Sequence, residues 1–522
     1  MPSPRQFNLF LFIIILLAIT IRVYALFKVS IIQKDSPEYL YQAMVIYHGD
    51  KTLLEKCGFS IRIKEINFYS LSLIPFYYIF NDWEIAGKFL SLLSSLFSLI
   101  LLYLIFNKVS PNLTTFKYLV LIIYIFNPVI VKESAEIMRE SYYTFYILSA
   151  IYLFLIALNY PYLKRFLLFN LANLSFLVAS WIRVEGLLYP LYTTIFLLVY
   201  TLFSKERKQI FISSILYCLT PFLIFLFLLI YNYMFTSFIL SEIKGKIIFF
   251  NPFKQPIAQL LEGFKYQNIP SPTPYFWDMV KQNLWLIALG TTHFYKFLPA
   301  LHISNLPLLL LGLRNLRLLP QNIYFHYLLF ISSLLFLTYY FFTFTKWYME
   351  KRYMLPLLYT LSPILLCGIK RLLQIIENLK NFSIKFIYVV FIVFYFAIAL
   401  FELSKPIRTD LLFLKKLAET ISSDLTHEDR QFCLNTSCPN LIFTTQNRLL
   451  FYVSNISGIP ICPKVAFNYY QVKNMAIEDI HNFIKENGFK YVVLERKVFG
   501  EKLNILKNKL ESSGIKLYIV EN

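Results

Sequence analysis

Eleven long apolar runs decide what this chain can become. They lie at 7–27, 86–106, 116–131, 141–158, 166–180, 187–203, 210–234, 297–313, 323–344, 354–369 and 386–403. Each approaches the roughly 20 mostly apolar residues that a helix needs to cross the hydrocarbon core of a bilayer. Composition agrees with that reading. Of the 522 residues 57% are hydrophobic, 19% aromatic and only 15% charged, against about 45–50% apolar and about 25% charged in ordinary globular domains. A soluble nucleic-acid binder and a cytosolic enzyme are therefore excluded. The expected class is mainly α, a polytopic membrane protein with about 11 spans.

The net charge of +20 is read as a topology signal and as affinity for membrane lipid, with no nucleic acid partner expected. A twelfth run, 67–80, is short and carries Asn67, Ser70, Ser72 and Pro75. Leaving it out and starting from a cytoplasmic N-terminus places Lys108, Lys117, Lys164, Arg165, Lys205, Arg207, Lys208, Arg314, Arg317, Lys370 and Arg371 in cytoplasmic loops. Counting it as a span would put them all outside, against the positive-inside rule. The run is accordingly expected to be an interfacial or re-entrant helix. It falls within a first outer loop, 28–85.

The spans end near residue 404, so residues 1–404 read as a membrane domain, with a second long outer loop at 235–296. That loop carries Pro252, Pro256, Pro270, Pro272 and Pro274. It is either a lid over a cavity or simple packing. Residues 405–522 hold 12 of the 30 acidic residues and alternate polar with apolar positions. Strands are expected at 430–435, 448–454, 491–495 and 516–521, and helices at 476–487 and 501–512, the former closed by Gly488. This predicts a small extracytoplasmic α/β domain. Cys57, Cys433, Cys438 and Cys462 fall on the outer side, where a disulfide is permitted without a unique pairing.

Ionisable residues are scarce at the span centres and recur at the outer ends. Asp35, followed by Ser36 and Pro37, either caps a helix or faces a cavity as a general base. Glu133, Glu136 and Glu140 share one helical face beside Arg139. They are either a solvated helix start or a carboxylate set able to meet a hard divalent metal ion. Lys346, Lys351 and Arg352 lie among aromatics including Tyr353. They either anchor at the interface or receive an anion at head-group depth, with His293 as a further candidate. Arg183, Glu185 and Gly186 open a span on the same side, and the first two can form an ion pair.

In their order and common sidedness these motifs resemble those of the membrane-embedded GT-C glycosyltransferases, and more narrowly the protein O-mannosyltransferase and aminoarabinose-transferase branch. The points of likeness are Asp35 with Tyr39 after the first span, Trp83 to Leu92 entering the second, and Glu136 to Glu140 after the third. Arg183-x-Glu185-Gly186 opens a later span, and Arg352-Tyr353-x-x-Pro356 precedes an outer domain. The chain departs from the family at Asn67 to Leu71, where two prolines are missing, and at Arg139-Glu140, where an Asp-Glu pair is usual.

The resemblance implies transfer of a monosaccharide from a polyprenyl-phosphate-linked sugar donor to an unknown acceptor, which is a protein, lipid or glycan. It implies Asp35 as base, Glu140 or Glu136 as second carboxylate, and phosphate contacts from Arg352, Lys346, His293 and Arg139. Tyr39, Arg183, Glu185 and Tyr353 are lesser candidates. A divalent metal ion, if one is used, would fall to Asp35, Glu136 and Glu140. Inversion at the anomeric carbon is expected, as in inverting glycosidases. The rival readings are a lipid-linked sugar transporter or flippase, a non-catalytic membrane assembly protein, and an enzyme using a diphosphate donor.

Overall fold

The computed structural model describes residues 4–57, 66–111, 114–203, 208–219, 278–280, 282–318, 322–346, 349–378, 384–405, 407–436, 440–467, 472, 475–511 and 515–520. The chain is mainly helical. Among the described residues five helices are long and apolar enough to cross a membrane: Trp83–Val109, Arg139–Ala157, Tyr162–Ile182, Val184–Phe203 and Ile323–Phe344. Three bent pairs raise the number to eight if each is one span. The Pro4–Lys28 and Ile384–Ser404 helices coincide with two more of the expected runs. Of the 210–234 run only the stretch to Leu219 is described, and the proline-rich part of 235–296 lies outside the described residues. The end of that expected loop is helical, from Leu284 onward.

Three runs that read as straight spans are bent, each for a local reason. The 116–131 run breaks by 54° between Phe126 and Pro128. Pro128 lacks an N–H and disfavours helix in the residue before it. Asn127 completes the break by accepting from the Val129 and Ile130 amides at 3.0 and 3.1 Å. The 297–313 run turns by 91° at His302, whose φ is +69°. The 354–369 run turns by 64° at Leu361, ahead of Pro363. The last two runs then pack on each other at Gly312 and Gly368. A Cβ on either would sit 2.0 Å from a carbonyl oxygen, of Ile364 and Leu308 respectively. Only glycine lets these backbones approach so closely, the means by which membrane helices usually associate.

The chain divides into two compact units. One comprises Met1–Arg22, Leu93–Glu133 and Glu140–Ser404; the other comprises Val23–Leu92, Ser134–Arg139 and Lys405–Asn522. The second contains a three-stranded parallel sheet in the order β1 (Ile442–Phe443), β2 (Tyr491–Glu495) and β3 (Lys516–Val520). β2 pairs along its whole length with β3, Tyr491 opposite Lys516 through Glu495 opposite Val520. Every residue of β2 is buried, as suits a strand flanked on both sides and covered by the Ile477–Glu486 and Lys502–Glu511 helices. Leu494, Ile484, Leu506 and Leu510 fill its core. The strands at 491–495 and 516–521 and both helices fall where the sequence places them, with Gly488 at φ +67°.

The other two expected strands are helices. The 430–435 stretch belongs to the helix His427–Thr436. Its start is a reciprocal cap: the Thr426 amide donates to Asp429 Oδ2 at 2.9 Å and the Asp429 amide donates to Thr426 Oγ1 at 3.2 Å. A Thr-x-x-Asp box of this kind satisfies two orphan amides and sets the helix before any alternation matters. The 448–454 stretch lies in the helix Asn447–Ser457, closed by Gly458 at φ +71°. Leu449 through Ser454 are all buried there, so the segment is covered all round and shows no period-2 face.

The 67–80 run is a single 13-residue helix, Phe68–Phe80, capped by Asn67 through the Tyr69 amide at 2.9 Å. At about 1.5 Å per residue it is too short to cross the bilayer core. Cys57 and Cys462 form a disulfide with Cα atoms 5.7 Å apart across 405 residues of sequence. The bond sits in a cluster of Tyr41, Val45, Leu53 and Leu54. Replacing both cysteines by serine should cost about 2–5 kcal/mol, read as a lower melting temperature of the purified chain in detergent. An unchanged melting curve would show that the bridge does not hold this unit together.

Candidate functional site

The membrane unit that holds Glu140 gathers buried charge around it. Glu140 is 2% exposed and Arg183 7%. Arg183 Nη1 binds Glu140 Oε1 at 2.8 Å, while its Nη2 and Nε reach the two oxygens of Glu185 at 2.8 and 3.4 Å. The guanidinium also lies 4.1 Å from the centre of the Tyr353 ring. Local sequence explains this placement. The Tyr162–Ile182 helix ends at Arg183, which is extended at φ −145°, and the chain folds back through a Val184–Leu187 turn. A Cβ on Gly186 would meet the Ser180 amide at 2.5 Å. The glycine of the Arg-x-Glu-Gly element therefore exists so that Arg183 and Glu185 can face the same way.

Arg352 completes the group. It is 4% exposed, pairs with Glu350 at 2.6 Å and lies 3.7 Å from Glu140. Its guanidinium also lies 5.5 Å from the centre of the Tyr353 ring. Among the described pairs, three carboxylates meet two guanidinium groups. Glu140 Oε2 is buried and has no hydrogen-bond partner among the described residues. A buried carboxylate oxygen normally has one, so this atom is the place where a cationic or hydrogen-bonding group would add most.

His293 has other contacts. His293 contacts the Leu289 carbonyl at 3.0 Å and stacks on Phe336 with ring centres 5.2 Å apart. It sits in a π-helical turn, Thr291–Phe297. Lys346 ends the Ile323–Lys346 helix, and its side chain lies outside the described residues.

The unit that holds Asp35 presents a different surface. Asp35 is exposed and precedes the helix Ser36–His48, yet its side chain makes no cap hydrogen bond. The capping alternative is thus not realised, and Pro37 alone marks the helix start. Glu38, one turn on, keeps solvent contact, but partial desolvation raises its carboxyl above the usual range. Lys464 pulls it down, Asp35 pushes it up and Arg139 pulls it down again. The Arg139 guanidinium lies 5.6 Å from the Tyr39 ring centre, and Tyr39 meets Tyr69 edge-on at 5.6 Å.

Glu136 is fully buried and ion-paired with Arg408 in the same unit. Arg408 holds an uncommon left-handed conformation at φ +55°. Among the described residues no group of three or more His, Cys, Asp or Glu is placed to hold a metal ion. Of the residues expected to meet a metal, Asp35 and Glu136 belong to one compact unit and Glu140 to the other.

Sequence reasoning missed Arg22, a fully buried arginine inside the first apolar run. Its Nε donates to Ser95 Oγ at 3.0 Å and its Nη1 to the Ala18 and Ile125 carbonyls at 3.2 and 3.3 Å. A lone Arg in an apolar run was the available signal. Arg408 was missed too, and no motif marks it.

No protein-family model matches the chain, and no curated protein sequence matches it. Solved structures do. The archaeal oligosaccharyltransferase AglB from Archaeoglobus fulgidus, in complex with an inhibitory peptide and a dolichol-phosphate, aligns at a TM-score of 0.58 with 12% identity, covering 93% of this chain and 69% of that one. The Archaeoglobus fulgidus oligosaccharyltransferase in the apo form gives 0.58 and 12%, over 94% and 69%. ArnT from Cupriavidus metallidurans bound to undecaprenyl phosphate aligns at 0.41 with 11% identity, over 99% and 90%. The chain therefore shares its overall fold with AglB over most of its length.

The ion-pair geometry makes a direct prediction. Arg183→Met should cost about 3–5 kcal/mol, because it leaves Glu140 buried beside a lost partner. Adding Glu140→Gln should recover part of that loss in a thermal melt. Strictly additive losses would show that the two side chains do not act as a pair.

Proposed function

We propose that the chain is a glycosyltransferase that moves a monosaccharide from a polyprenyl-phosphate donor to an acceptor hydroxyl or amine at the outer membrane face. The observation that carries this reading is the shared fold with AglB, joined to an exposed carboxylate, Asp35, that follows the first apolar helix. Asp35 takes the proton of the acceptor as it attacks the anomeric carbon, and the phosphate leaves as a stable anion. Because attack and departure occupy opposite faces, the anomeric centre inverts.

Glu140, held by Arg183 and Arg352, serves as the second carboxylate. Arg352 remains the first candidate for the departing phosphate, since a guanidinium matches a phosphate bidentately. Arg139, beside Tyr39, is the next. Glu136 is assigned to structure, since Arg408 neutralises it in the interior. The Cys57–Cys462 bridge favours an oxidising, extracytoplasmic location for its unit, in line with the basic loops on the opposite side. Residues 405–522 are proposed as an extracytoplasmic domain on that basis.

Membranes carrying the chain, supplied with polyprenyl-phosphate mannose or polyprenyl-phosphate aminoarabinose, should release polyprenyl phosphate. Asp35→Asn should lower that release by roughly 10²–10⁴-fold, the usual contribution of a general base, with expression and melting temperature unchanged. Turnover at the wild-type rate in Asp35→Asn would remove Asp35 from the mechanism. Movement of intact donor across the membrane without release of phosphate would favour a flippase instead.

A further inference from the structure

Hydrogen bonds from outside the loop fasten the backbone on both sides of Asp35. The Ile32 amide donates to Tyr452 Oη at 3.1 Å, and Asn447 Nδ2 donates to the Lys34 carbonyl at 2.6 Å. Ser36 Oγ then donates to the Ile137 carbonyl at 2.8 Å. All of these residues belong to one unit. The first two bonds come from a single helix, Asn447–Ser457. Asn447 and Tyr452 are five positions apart on it, a rise of about 7.5 Å at 1.5 Å per residue. Ile32 and Lys34 are two positions apart in the loop, about 6.6 Å when extended. The axial rise along the helix and the span of the loop are therefore of similar length. Tyr452 is 2% exposed and Ile32 0%, so the Ile32–Tyr452 bond is sheltered from water.

We infer that Asn447 and Tyr452 are positioning residues for Asp35. They touch neither donor nor acceptor; they hold residues 32–34 so that the carboxylate of Asp35 projects from a fixed backbone. The inference rests on the reading of Asp35 as base. A loop that carries an exposed carboxylate would otherwise sample many poses, and a misplacement of about 1 Å can cost a transfer reaction on the order of 10²-fold. The Cys57–Cys462 bridge braces the region beyond the other end of the Ser36–His48 helix, so Asp35 stands on an element anchored at both ends. Residues 405–522 thus contribute to catalysis through the Asn447–Ser457 helix.

The test uses the full chain in detergent. Asn447→Asp keeps the size of the side chain and removes its N–H donor; Asn447→Gln keeps the donor; Tyr452→Phe removes one hydroxyl. Hydrogen exchange of the 30–36 peptide reads the tether without any substrate. It should quicken roughly tenfold in Asn447→Asp and Tyr452→Phe and recover toward wild type in Asn447→Gln, as expected for one lost hydrogen bond. With whichever of the two polyprenyl-phosphate sugars turns over, kcat should fall about tenfold or more while KM for the donor stays within about twofold.

Unchanged exchange in both donor-lacking variants overturns the inference. So does a loss of melting temperature that Asn447→Gln restores without restoring kcat, because that pattern assigns Asn447 to folding. If Asp35→Asn is inactive while Asn447→Asp turns over normally, the base stands and the positioning role falls. If Asp35→Asn is fully active, the parent reading falls, and the exchange result still decides whether the helix fixes the loop.

Discussion

Arg183 holds Glu140 with one nitrogen and Glu185 with the other two, in a part of the chain where water is scarce. Much of the membrane unit is arranged around that need. A buried carboxylate without a cation would neutralise or unfold its surroundings, and a buried guanidinium without an anion would do the same. The chain meets the demand with a helix that stops at Arg183, a turn that only Gly186 permits, and a second arginine, Arg352, pinned by Glu350. Such a cluster is a costly way to stabilise a fold. It is better understood as a preorganised set of charges whose cost is met by packing elsewhere, including the close approach of backbones at Gly312 and Gly368.

The other unit solves a different problem. It contains a parallel sheet too small to be stable alone, and it buries a core of leucines, isoleucines and phenylalanines against it. Charge enters here as well. Asp429 is pushed up by burial, but Lys490, Thr426 and Tyr491 together hold its carboxyl below the usual range. Glu136 and Arg408 do similar work in the interior. The disulfide joins residues remote in sequence, and the helix Asn447–Ser457 supports the loop that presents Asp35.

How much of this could be read from the sequence depends on which force dominates locally. Apolar runs and basic loops report transfer energetics directly, so the membrane class and most helices were legible. The bends were not, because Asn127–Pro128, His302 and Leu361–Pro363 act through backbone geometry that a hydropathy window averages away. The strands expected at 430–435 and 448–454 failed where a Thr426–Asp429 box and complete burial outweighed alternation. At the candidate site the motif residues Arg183, Glu185, Glu140 and Arg352 were found, since each motif is compact in sequence. Arg408, Asn447 and Tyr452 were not, because their partners lie far off along the chain and no local pattern encodes a contact across hundreds of residues.

A base at Asp35 implies one stereochemical course, a single displacement assisted by one carboxylate. It is tested most directly by the anomeric configuration of the first-formed product, determined by NMR from a donor of known configuration. Inversion at the transferred carbon is the predicted result. Retention would require a covalent glycosyl intermediate and a nucleophile in place of a base, and would contradict the role given to Asp35.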